Sequence, residues 1–301
     1  MATHQLIKVP AISGIAPGSA AGTVGTFNLP LGYRYHKIAL VYIDGGSSPT
    51  DILLMFDDIN VYKNTKSQRL HNGAELERLN TINSTINSTE YARQQIGIGA
   101  AMVQIQEIYF AEPWRKDKID TDSRAWIVTA DAGYKTFQIT VKLLAAMPAT
   151  GSLVAMAWVD APLPLPAGKV QSIKKVYRQS IPASGTSNDI TTLDESDIYE
   201  MIAMKHPTGA YIASATLKRN GDLFTEDTLR EVNVAHLVNQ GMNPAASTTA
   251  GAFGYEIVLD ADDPAANGLI AEGQSIWLQL KYSAAASGNV IALIERVGAA
   301  D

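Results

Sequence analysis

The sequence predicts a mainly β chain made of two similar domains in tandem. Three observations carry this: alternation of apolar and polar residues at the strand period, a pair of widely spaced units that occurs twice in the same order, and a proline-rich stretch between the two occurrences.

The clearest alternation places Phe137, Ile139, Val141 and Leu143 on one face and Gln138, Thr140 and Lys142 on the other, as a half-buried strand requires. Ile276, Leu278, Leu280 and Tyr282 repeat it against Trp277, Gln279 and Lys281, and Phe253, Tyr255, Ile257 and Leu259 form a third strand. Helices are few. One is expected from Glu226 to Asn239, with Thr225 as N-cap, Glu226 and Asp227 at its positive end, and Leu229, Val232 and Leu237 facing the core. A shorter one, Ala74 to Ile82, sets Leu76, Leu79 and Ile82 at helical spacing after Gly73.

The segment Phe137–Trp158 is similar to Ile276–Glu295: each is a strand, a turn of small residues and a second strand, with Pro148 and Gly151 read as a hairpin turn in the first copy. Upstream of each lies a strand, a polar turn, a strand and a helix. The first copy runs from Ile52 to Phe56, through Asp57 and Asp58, then Ile59 to Tyr62 and the Ala74 helix. The second runs from Ala215 to Lys218, through Asn220-Gly221, which accepts the positive φ angles of a tight hairpin, then Leu223-Phe224 and the Thr225-capped helix. Two units in the same order in both halves indicate a duplicated domain. Between them, residues 161–168 alternate prolines that cannot extend a sheet ladder and stiffen the connection. The expected division is an N-terminal arm at 1–25, a first domain at 26–161, a proline-containing linker and connecting segment at 162–182, and a second domain at 183–301.

Of the 301 residues 46% are hydrophobic and only 18% charged, which points to a packed globular protein and suits a surface that sits against other copies. A net charge of −6 offers no basic footprint, so direct nucleic-acid binding is not expected. The absence of cysteine excludes disulfides, thiolate metal sites and a cysteine nucleophile. Met1 to Gly25 lacks the basic-then-apolar pattern of a secretion signal, and the apolar run Leu143 to Val159 is broken by Pro148, Thr150 and Gly151, against a membrane span.

No catalytic or cofactor-binding residue stands out. His4, His36, His71, His206 and His236 are scattered without paired ligand spacing, which favours structural roles. Gly97-Ile98-Gly99 lacks the third glycine of a dinucleotide loop, where Met102 stands, and is read as a bulge or tight turn. Asp260, Asp262 and Asp263 are the candidate metal ligands, hard oxygens suited to calcium; without the glycine and glutamate of an EF-hand loop, a solvated acidic turn is the simpler reading. Asp57 and Asp58 are assigned to the hairpin, and Asn83-Ser84-Thr85 and Asn87-Ser88-Thr89 to an exposed polar loop. Trp114, Arg115, Lys116 and Lys118 form a small basic and aromatic stretch balanced by Glu112, Asp117 and Asp120.

Several short motifs then fall into a known order. They are Phe27-Asn28-Leu29-Pro30-Leu31-Gly32, the strand Ile38 to Ile43, the hairpin around Asp57 and Leu76 to Asn80 in the first half; in the second half they are Ile198 to Met204, the Asn220-Gly221 hairpin with its helix, and the closing strands near Val297. In this order the chain resembles the double jelly-roll major capsid proteins of tailless icosahedral, membrane-containing bacteriophages of the corticovirus type. It differs in a longer Asn80–Thr89 segment and a longer, small-residue-rich N-terminus. The resemblance implies two tandem jelly-roll β-sandwiches with short helices in loops, and a homotrimer that forms a pseudo-hexagonal capsomer, tiles an icosahedral shell and has no enzymatic activity. Implied partners are neighbouring capsomers, vertex or minor capsid proteins, and an internal viral membrane or its proteins. The virion is the expected location and the host cytoplasm the site of synthesis. No cofactor is expected, the one alternative being calcium at subunit contacts.

Two other classes compete. A two-domain carbohydrate-binding or adhesive β-sandwich needs exposed aromatics over a groove, but aromatics make up 7% of the chain, and Trp126, Trp158 and Trp277 fall in apolar strand patterns that suit a core. A jelly-roll hydrolase needs two carboxylates facing each other across a groove, a pairing that no motif here indicates.

Overall fold

The computed structural model describes residues 4–46, 50–84, 91–98, 101–114, 124–162, 164–165, 171–193, 197–259, 269–270 and 274–299. The chain forms two compact units whose main division falls between Lys174 and Lys175, early in the strand that opens the second unit; residues 82–84 group with the second unit and Ala299 with the first.

The first unit contains β1 (Gln5–Lys8), β2 (Val24–Asn28), β3 (Tyr33–Asp44), β4 (Phe56–Lys63), β5 (Lys66–His71), α1 (Gly73–Thr81), β6 (Gln94–Ile98), β7 (Ala101–Tyr109), β8 (Trp126–Val128), β9 (Phe137–Leu143) and β10 (Ser152–Asp160). Its strands run β1-β10-β3-β7-β6 in one sheet, with β8 on β3, and β5-β4-β9-β2 in the other. Alternation along each strand turns one row of side chains inward, so Ile38, Leu40 and Tyr42 of β3 meet Ile59 and Val61 of β4 and Ile139 and Val141 of β9 in one core.

The second unit contains β11 (Ser172–Pro182), β12 (Gly185–Ile190), β13 (Ile198–Lys205), β14 (Ile212–Arg219), β15 (Asp222–Leu229), α2 (Arg230–Asn239), β16 (Phe253–Val258), β17 (Leu269–Ile270), β18 (Ile276–Ala286) and β19 (Asn289–Ala299). Its strands run β11-β19-β13-β16, with β17 on β13, and β12-β18-β14-β15. Tyr199, Ile202 and Met204 of β13 share a core with Leu278 and Leu280 of β18.

The two orders are the same order. Strands β1, β2, β3, β4, β5, β7, β9 and β10 take the places of β11, β12, β13, β14, β15, β16, β18 and β19, and in both units the helix lies between the fifth and sixth of these strands. Eight strands in two four-stranded sheets with this winding are a jelly roll, so the chain is a double jelly roll.

Several local expectations are corrected. The residues 1–25 do not form an arm alone: β1 pairs with β10, and β2, starting at Val24, pairs with β9. The turn around Pro148 and Gly151 is not a hairpin, because β9 and β10 belong to opposite sheets, as do β18 and β19. The first-half hairpin turns at Asn64, which has a φ of 57°, rather than at Asp57 and Asp58, which lie inside β4 beside a register shift. The second helix starts at Arg230, not Glu226. Thr225 to Leu229 continue the ladder with β14, and the Thr225 hydroxyl accepts from the Leu217 N–H instead of capping. Leu229 and Val232 are consequently exposed and only Leu237 is buried. The Asn220-Gly221 turn forms as expected, with φ of 48° and 88°. Gly97 pairs regularly with Met102 and makes neither bulge nor turn, Gly99 lying outside the described residues.

The shorter helix α1 does bury Leu76 and Leu79. Asn72 and Glu75 close its start reciprocally: the Glu75 N–H donates to Asn72 Oδ1 at 2.8 Å and the Asn72 N–H to Glu75 Oε2 at 2.9 Å, a capping box.

Candidate functional site

The acidic candidates Asp260, Asp262 and Asp263 lie outside the described residues, as do Arg115, Lys116, Lys118 and all of Asn87-Ser88-Thr89. Ser84, expected in an exposed loop, is buried. Asp57 sits on the surface in an ion pair with Lys142 at 2.5 Å. Glu112 is buried and engaged by Lys174, while Trp114 packs edge-on to Tyr91 and Tyr109. Of the three tryptophans assigned to cores, Trp126 is fully buried, but Trp158 and Trp277 take outward strand positions. Lys37 lies over Trp158 and Lys218 over Trp277.

The histidines divide by environment. His206 Nδ1 accepts from the Ile212 N–H at 3.0 Å and Nε2 donates to the Ser247 carbonyl at 2.7 Å, which fixes one neutral tautomer. Burial lowers its pKa below the ordinary value, Arg230 adds to the effect, and the Ser247 bond opposes it. His206 therefore crosslinks the backbone at Ile212 and Ser247.

His36 is different, because neighbouring strands gather it with His4 and Asp160. In the β3–β10 ladder Trp158 pairs with Lys37 and Val159 with Tyr35, so His36 is the extra residue of a bulge. Its carbonyl accepts from the N–H groups of both Phe110 and Ala111, at 2.8 and 2.9 Å, which holds the bulge in place. At the bulge the imidazole is buried, its Nε2 lying 3.1 Å from Asp160 Oδ2 and its ring stacking on His4 at 3.9 Å between centroids. Arg34 forks the same carboxylate, Nε to Oδ1 at 2.8 Å and a terminal nitrogen to Oδ2 at 2.5 Å. Burial raises the Asp160 pKa, but these bonds outweigh it and hold the carboxyl below its ordinary range. Beside the cluster opens a cavity of about 280 Å³ lined by His4, His36, Trp158, Tyr109 and Glu107 among others. The sequence carries no local signal for this grouping, since only strand register brings residues so distant in the chain together.

A second feature is apolar and exposed. Leu223, Phe224, Leu229 and Val232 come from one stretch of ten residues covering β15 and the start of α2, and all four are exposed. In unit 1, Ile96 and Ile98 of the edge strand β6 are likewise exposed. Apolar side chains concentrated in this way mark contact surfaces more often than solvent-facing ones.

Residues 6–160, just over half of the chain, match the family model of the viral coat protein P2 N-terminal domain. The chain belongs to this family. It is thus a structural coat protein, and the resemblance read from its motifs is borne out. No curated protein sequence matches it. Among solved structures it is similar to the major capsid protein P2 of bacteriophage PM2, with a TM-score of 0.73 at 16% identity, covering 99% of this chain and 98% of that one. The PBCV-1 virus capsid gives a TM-score of 0.66 at 10% identity, covering 98% and 93% of the two chains. The major capsid protein of Sulfolobus turreted icosahedral virus gives 0.62 at 13% identity, covering 99% and 97%. At such low identity these likenesses establish the fold, which the coat protein keeps from end to end.

Proposed function

We propose that this coat protein is a major capsid protein that works by self-assembly, three copies forming a pseudo-hexagonal capsomer that tiles an icosahedral shell. The observation that carries the reading is the duplication: each chain holds two units of identical strand order. A three-fold trimer of such chains presents six similar jelly rolls, and nearly equivalent edges allow tiling through repeated contacts. Family membership supports the virion as its place and a structural rather than enzymatic role; synthesis in the host cytoplasm is part of the same proposal.

Its partners in this reading are other copies, then vertex or minor capsid proteins, and an internal viral membrane or its proteins. The net charge of −6 supports the absence of direct genome contact. Calcium at subunit contacts is the alternative to a cofactor-free shell in the same proposal.

Light scattering or native mass spectrometry of dilute purified protein, with and without a chelator, tests it. A species near three times 32.3 kDa is expected, and loss of that species in chelator assigns metal to the contacts. A stable monomer at all concentrations rejects the trimer.

A further inference from the structure

We propose that His4, His36 and Asp160 form a binding site for a divalent cation of the zinc or nickel type. The inference is independent of the assembly reading and uses none of the residues invoked there.

Each of the three residues offers one ligand atom, and these atoms all lie within 4.8 Å of one another. Two imidazoles and one carboxylate are the donor set of borderline cations; calcium and magnesium prefer oxygen alone. The three residues come from adjacent strands. Gln5 of β1 pairs with Val159 of β10, which places His4 across from Asp160, and Asp160 pairs in turn with Arg34 of β3, two residues before His36. The bulge leaves His36 without a ladder partner on β10, and its Nε2 lies 3.1 Å from Asp160 Oδ2.

Arg34 is the competitor and also the support. An ion bound at Asp160 Oδ2 displaces the terminal guanidinium nitrogen at 2.5 Å, while the bond from Arg34 Nε to Oδ1 at 2.8 Å stays and orients the carboxylate from behind. Outer hydrogen bonds of this kind raise ligand basicity and fix geometry. The displaced contact and the nearby Arg34 charge lower the affinity below that of an uncontested three-ligand site. The adjoining cavity leaves room beside these side chains for a water ligand on a bound ion. A bound ion ties His4, and with it the start of the four-residue edge strand β1, to β3 and β10.

Isothermal titration of the full chain, carrying no oligohistidine tag, with zinc chloride and separately with calcium chloride tests the proposal near pH 7.5. One zinc ion per chain is expected, with calcium at least a hundredfold weaker. His4 is exposed, so His4→Ala leaves the fold intact and is expected to weaken zinc binding at least tenfold. Zinc is also expected to slow proteolysis within the first eight residues in the unmodified chain and not in His4→Ala. Absence of saturable zinc binding, equal binding by His4→Ala, or equal affinity for calcium each overturns the site.

Discussion

At the scale of single residues, the seat of His206 depends on Gly254 having no side chain. A Cβ on Gly254 would sit 1.8 Å from His206 Nε2 and 2.5 Å from the Ser247 carbonyl oxygen, so the absent side chain is what lets the imidazole reach that carbonyl. Gly254→Ala is expected to cost about 1–3 kcal/mol of stability by overpacking, read from urea unfolding. His206 also sets a pH dependence. Its folded pKa lies below the ordinary 6.5, so as pH falls below 6.5 the unfolded chain takes up the proton first and stability declines until the folded pKa is passed. Asp44 and Asp160 act lower. Burial raises each, hydrogen bonds from Tyr42, Gly46, Thr50 and Thr150 to the first and from Arg34 and His36 to the second outweigh it, and both folded pKa values lie below the ordinary 3.8. Their contribution is present above 3.8 and is lost as pH falls through the folded values. Two declines in melting temperature are therefore expected, one starting near pH 6.5 and one below pH 4, and His206→Gln is expected to flatten the first alone.

At the scale of elements, local chemistry decides some boundaries and long-range pairing decides others. Helix α1 starts where its own side chains say it must, because Asn72 and Glu75 satisfy each other's backbone N–H groups. Asn72→Ala is expected to cost about 1 kcal/mol in thermal or urea unfolding, with the fold unchanged by circular dichroism. Helix α2 shows the opposite case. Thr225, Glu226 and Asp227 carry the composition of a helix start, yet β14 offers partners to this stretch, and a break in the ladder at Asp227, with a φ of 43°, delays the helix to Arg230. The strand alternations, the Asn220-Gly221 turn and the buried face of α1 were legible because they depend on neighbours in sequence. Whether β9 and β10 make a hairpin or cross between sheets depends on which strands lie beside them, and small residues around Pro148 permit both. The grouping of His4, His36 and Asp160 was illegible for the same reason: it depends on the register of three strands and on a one-residue bulge.

At the scale of the whole molecule, the duplication read from the spacing of two short units corresponds to a repeated eight-strand winding, and that repeat is what an assembling shell protein uses. The proposed trimer needs a contact surface, and the second unit exposes Leu223, Phe224, Leu229 and Val232, contributed by a hairpin and the helix that follows it, as the candidate. Leu229 and Val232 are 54% and 57% exposed in the single chain, so little folding energy rests on either. Carboxylates placed at both positions would be solvated in a monomer but desolvated without a partner inside a contact. The double variant Leu229→Asp, Val232→Asp is accordingly expected to melt within a few degrees of the unmodified chain and to keep its circular dichroism spectrum. Its native mass is expected to fall from about three times 32.3 kDa to that of one chain. Retention of the trimer by a folded variant would move the subunit contact away from β15 and α2, leaving the exposed edge strand β6, with Ile96 and Ile98, as the next surface to alter in the same way.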